Sequence, residues 1–368
     1  MSRSMWATRI GMILLATISV GALAAPAEAA SSTGVASVVE GTKVQYKAGK
    51  NKTNKVVVTR SGRSITIDDR VTVKPGKGCK SVKGDKTKVR CTTSKTPTRV
   101  RVYLYDRNDS VVNRTDLPMT ADGGTGKDTL TGGPRGDLLR GGTNTDHLYG
   151  LGGNDHLEGD SGNDRLYGGD GNDRLYDDEG NDVVSGGNGD DWFDDGNGTD
   201  KYYGGNGSDT FNMFQPYGAV KNHSDLLSGG SGVDYAAYGA YQKGISISLD
   251  GKADDGLPGE HDNVGRDIES VFGGFGNDHL YGGPEDDFLE GNWGNDVIYG
   301  EGGGDTLSGQ QGSDKVYGGA GDDTLLGDDF EDPKSTHDVL DGGSNGTRGD
   351  ACYPTKGDTV TSCEMIFK

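Results

Sequence analysis

From Gly123 onward the chain is written in nines. Ten abutting nonapeptides, GGTGKDTLT through GGNGSDTFN, end at Asn212. An isolated copy, GGSGVDYAA, occupies residues 229–237, and six more run from Gly273 to Leu326. All 17 carry Asp at the sixth position and an apolar residue at the eighth. One large apolar side chain in nine is too few for an ordinary globular core, and only 31% of the 368 residues are hydrophobic. Those side chains form a core only if the copies stack, each eighth position resting on one a coil away.

Each position has a physical role. Glycines at positions 1, 2 and 4 allow positive φ, so the first six residues can turn tightly. Such a turn presents main-chain carbonyl oxygens, and Asp at position 6 adds a carboxylate. Positions 7–9 read polar, apolar, variable, which is a short half-buried strand. The sixth-position residues are the candidate metal ligands: Asp128, Asp137, Asp146, Asp155, Asp164, Asp173, Asp182, Asp191, Asp200, Asp209, Asp234, Asp278, Asp287, Asp296, Asp305, Asp314 and Asp323. Every donor in this set is oxygen. Ca²⁺, which takes six or more oxygen ligands, suits it better than Zn²⁺ or strongly hydrated Mg²⁺.

Residues 123–343 resemble the RTX (haemolysin-type) calcium-binding repeats, whose consensus is GGxGxDxUx with U a large apolar residue. The resemblance implies an all-β fold, a right-handed parallel β-roll with two nonapeptides per coil. Positions 18 apart then stack, Asp128 on Asp146 on Asp164 along one edge and Asp137 on Asp155 on Asp173 along the other. At a ladder spacing of about 4.8 Å, two carboxylates repel by about 0.9 kcal/mol in water and about 3.5 kcal/mol at an effective dielectric of 20. Cations between the turns relieve this. With each ion between turns n and n+2, the repeats have room for roughly 8–12 Ca²⁺.

The rest of the chain frames the repeats. Arg3 and Arg9, the run IGMILLATISVGALA and the small-residue stretch APAEA read as a signal peptide over residues 1–29, hence a secreted, extracellular protein. The run is too short for a membrane anchor, and the mature chain has no membrane span. Residues 30–120 read as a basic β-rich domain or cap. Between residues 31 and 120, 20 Lys and Arg face 7 Asp and Glu, a net of +13, against −34 over residues 121–368. The remaining boundaries are a first roll block at 121–212, an interrupting segment at 213–272, a second block at 273–343 and a C-terminal cap at 344–368. Four cysteines allow three pairings, and the short loops 79–91 and 352–363 are favoured, the latter closing the last coil. YDRNDSVVN, residues 105–113, mimics a repeat, with Asp109 and Val111 at positions 6 and 8; Asp338 and Asp350 also match position 6. In the interruption, Asp254, Asp255, Glu260 and Asp262 read as a solvated acidic loop rather than a cation site.

Catalytic signatures are absent from the sequence. There is no HExxH, GGSNG at residues 342–346 matches GxSxG only as the opening of a repeat-like turn after Asp338, and His147, His156 and His279 simply occupy position 7 of repeats. The expectation is a non-enzymatic calcium-binding protein. A calcium-dependent adhesin or binder of cell-wall or extracellular polysaccharide is the alternative, through the position-9 tyrosines or the basic cap. A hydrolase or toxin is less favoured. No basic motif interleaved with aromatics points to nucleic acid.

Overall fold

A computed structural model of the protein describes residues 33–213, 224–328 and 337–367. The signal-peptide segment and residues 214–223 of the interrupting segment lie outside these. Among the described residues all regular structure is strand, and residues 18 apart pair in parallel register. Leu139 pairs with Leu157, Leu157 with Leu175, Leu175 with Phe193 and Phe193 with Phe211. On the opposite face Leu130, Leu148, Leu166, Val184 and Tyr202 make the matching row. This is a parallel β-roll, two repeats to a coil. The eighth-position residues of both faces meet inside it, each at most 1% exposed.

Spacing predicts three-residue strands at positions 7–9. Many strands run on to position 3 of the next copy, as in Leu138–Thr143 and Arg165–Asp170. Alternation then turns position 1 inward as well as position 8. The turn follows at once. Gly169 stands at φ +118°, and a Cβ there would fall 2.3 Å from the Leu151 carbonyl oxygen.

The first face is one sheet throughout. It starts from Arg99–Tyr103 and Met119–Thr125, passes through Thr210–Asn212, Tyr235–Ala237, Ser270–Phe272 and Phe288–Glu290, and ends at Met365–Ile366. The second face is split. Its first part ends where Leu226–Ser231 pairs with Asn263–Val264, and a separate sheet begins where Ser246–Ser248 pairs with His279–Tyr281. The interruption therefore breaks one face and not the other.

The N-terminal segment continues the roll and then closes it. Lys43–Lys47 and Lys55–Ser61 still pair in parallel with the roll's first strands. Beyond them the chain doubles into antiparallel hairpins, Gly34–Val39 with Lys43–Lys47 and Lys55–Ser61 with Ser64–Asp68. Hairpins cannot propagate the 18-residue coil, so they end it. Disulfide Cys79–Cys91 clamps two facing antiparallel positions. At the other end the second disulfide is Cys352–Cys363. Cys352 lies inward as expected, yet it does not sit on the last rung. Thr359–Thr361 and Met365–Ile366 add one more coil, and the disulfide ties that coil back.

Position-9 tyrosines form ladders. Tyr149 and Tyr167 stack at 5.1 Å, as do Tyr281 and Tyr299, with Tyr317 at 4.7 Å from Tyr299. Interplanar angles of 5°, 5° and 9° turn the ring faces toward one another.

Candidate metal centres

Along each edge of the roll the sixth-position carboxylates make a ladder of their own. The amide N–H of Asp128 donates to Oδ1 of Asp146 at 2.6 Å, Asp146 to Asp164 at 2.7 Å, and Asp164 to Asp182 at 2.6 Å. Asp137 to Asp155, and Asp155 to Asp173, repeat this at 2.7 Å on the other edge. One carboxylate oxygen in each turn is thus spent on fixing the next coil.

The other oxygen is left over. In Asp128, Asp146, Asp155, Asp164, Asp173, Asp182, Asp191, Asp200, Asp209, Asp234, Asp296, Asp305 and Asp323, Oδ2 is buried without a hydrogen-bond partner. A buried carboxylate oxygen with nothing opposite is costly, and here the cost recurs in coil after coil. The space beside it is small. A Cβ built on Gly150 would fall 2.1 Å from Asp155 Oδ2 and 2.5 Å from the Gly168 carbonyl oxygen. Gly300 stands in the same relation to Asp305 Oδ2 and the Gly318 carbonyl. Position 1 is glycine because a carboxylate and a main-chain carbonyl already share its place. Two oxygens facing one gap suit a hard cation.

Burial pushes these carboxyls up. Asp146, Asp155, Asp182, Asp191 and Asp305 rise to about 8, Asp164 and Asp296 to about 7, and Asp128 and Asp173 to about 6. The amide donated to each carboxylate pulls the other way. For Asp146 the flanking Asp128 and Asp164 add to the rise.

Three of the sixth-position residues are placed differently. Oδ2 of Asp137, Asp278 and Asp287 accepts a hydrogen bond from its own turn: from Gly133 at 2.6 Å, Gly274 at 2.8 Å and Gly283 at 2.6 Å. In these turns the carboxylate is satisfied from within. Two of the three carry proline at position 3, Pro134 and Pro284.

The ladder also recruits residues that the nonapeptide pattern passes over. Asp200 donates to Asp225, and Asp225 to Asp262; Asp234 donates to Glu269 Oε2, and Asp350 to Glu364 Oε2. Their signal is an acidic residue two before an inward apolar one, as in Asp225–Leu227, Asp262–Val264 and Glu269–Val271. Neither Asp225 nor Asp262 has glycine at positions 1, 2 and 4 of its copy, which hides them. Asp262 also corrects the solvated-loop expectation. Asp255, Glu260 and Asp262 are buried, and only Asp254 of that group is exposed. Main-chain amides explain the burial: Ser248 and Val264 donate to Asp255, and Leu257 to Glu260.

A parallel roll with all-oxygen donors repeated along two edges defines a calcium-binding repeat module. The RTX calcium-binding nonapeptide repeat model matches residues 122–157, 149–176, 176–211, 265–298, 272–307 and 299–332. These two blocks are RTX calcium-binding nonapeptide repeats. No curated protein matches it.

Proposed function

We propose that this is a secreted, non-enzymatic protein whose roll folds as Ca²⁺ enters the turn sites outside the cell. The observation that carries the reading is the row of buried Oδ2 atoms without partners, each beside a main-chain carbonyl where Gly150 and Gly300 show the geometry. The ions sit between turns n and n+2, roughly 8–12 in all, at affinities near the 10⁻⁴–10⁻³ M of extracellular modules. The leader-like N-terminus supports secretion, and so do two disulfides, which persist in oxidising compartments. The tyrosine ladders do not extend this reading to polysaccharide, because a sugar would need ring faces that are turned to neighbouring rings. Circular dichroism of chelated protein during a Ca²⁺ titration tests the proposal. A gain of β signal at millimolar Ca²⁺ is expected; no gain overturns it.

A further inference from the structure

Position 1 is glycine in 15 of the 17 copies. The exceptions are Asp177 and Asp195, 18 residues apart and so on consecutive coils of one edge. In the copy that Asp195 begins, the second face carries Tyr202, the one tyrosine found at position 8 of any copy. Because position 1 points inward, these side chains meet inside the roll. Tyr202 Oη lies 2.7 Å from Asp195 Oδ1 and 2.5 Å from Asp177 Oδ2. The phenol has one proton to share between the two and leaves their charge in place.

Asp200 completes the group. Its Oδ1 takes the Asp182 amide at 2.6 Å, and its Oδ2 is buried without a partner. One carboxylate oxygen from each of Asp177, Asp195 and Asp200 lies within 4.8 Å of the others. The three residues are 0%, 8% and 1% exposed. Three buried carboxylates at such spacing, two of them replacing the smallest residue, repel unless protons or a cation neutralise them.

We infer that Asp177, Asp195 and Asp200 hold a divalent hard cation, Ca²⁺ in the extracellular setting, at an interior site that extends inward from the Asp200 turn and is additional to the turn sites. Here the donors are side-chain carboxylates gathered by a core phenol, whereas the turn sites pair one carboxylate with main-chain carbonyls. The site rests on the proposed calcium binding only for the folded roll that contains it.

The bound ions are counted by native mass spectrometry at saturating Ca²⁺, with folding followed by circular dichroism. The triple variant D177G/D195G/Y202L restores the residues used at these positions in flanking coils. The isosteric pair D177N/D195N keeps the shape and removes two charges. Each folded variant is expected to bind one ion fewer than the wild type. An unchanged count in either overturns the interior site while leaving the turn sites standing. So does an isosteric variant that no longer folds with Ca²⁺, since amides remove the buried charge the cation would neutralise. A wild-type protein that binds no Ca²⁺ overturns both proposals together.

Discussion

Asp155 condenses the residue-scale logic. One of its oxygens holds the Asp137 amide, the other has no partner, and burial lifts its carboxyl to about 8. Asparagine in its place keeps the acceptor and removes the charge. D155N should therefore make the metal-free roll easier to form at pH 8, yet raise the Ca²⁺ midpoint by about tenfold, the scale of effect seen when metal sites lose a supporting group. D137N should move the midpoint far less, because Gly133 already occupies that carboxylate. Equal shifts in the two titrations would refute the distinction. G150A tests the neighbouring gap: its Cβ displaces the Asp155 and Gly168 oxygens at a cost of about 1–3 kcal/mol, read as a lower melting temperature in Ca²⁺. At this scale the nonapeptide pattern marks where a carboxylate falls but not what surrounds it: Asp278 stands in the full copy GGFGNDHLY, and still its own turn bends back on it, as at Asp137 and Asp287.

A coil is the unit at which protons and cations compete. The carboxyls of Asp146, Asp155, Asp182, Asp191 and Asp305 are raised from an unfolded value near 3.9 to about 8. The folded, metal-free coil thus binds protons more tightly than the unfolded chain. That stability is fully present below about pH 4 and is lost as pH rises through about 8. Chelated protein should accordingly gain β signal on acidification from pH 9 to pH 5. The opposite trend holds for the ions: calcium binding needs the carboxylates ionised, so the Ca²⁺ midpoint should rise as pH falls. A pH series of dichroism titrations checks both slopes. The coils of the interruption were harder to read than those of the repeats. Glu269 substitutes for the sixth-position Asp, and the pair Asp225–Asp262 closes its coil across 37 residues instead of 18. A register that depends on tertiary pairing leaves no fixed period in the sequence.

At the scale of the unit spanning residues 31–368, the two ends follow from one requirement. A stack of open coils must stop somewhere, and here antiparallel hairpins stop it at one end and a disulfide-tied coil at the other. Position patterns revealed the stack; the extra coil beyond Cys352 has only Thr359–Thr361 and Met365–Ile366 to announce it, too little for a period. The unbroken first face has a consequence for a chain that is cut. Residues 251–254 form an exposed stretch between the two sheets of the split face. A protease that nicks it severs the polypeptide but not the sheet that runs past it. The two pieces should stay together through size-exclusion chromatography in Ca²⁺ and part when chelator is added; pieces that separate in Ca²⁺ would count against a continuous sheet. Such a protein would tolerate a cut in mid-chain as a rope tolerates one parted strand, and its lifetime among proteases would be set by the calcium around it.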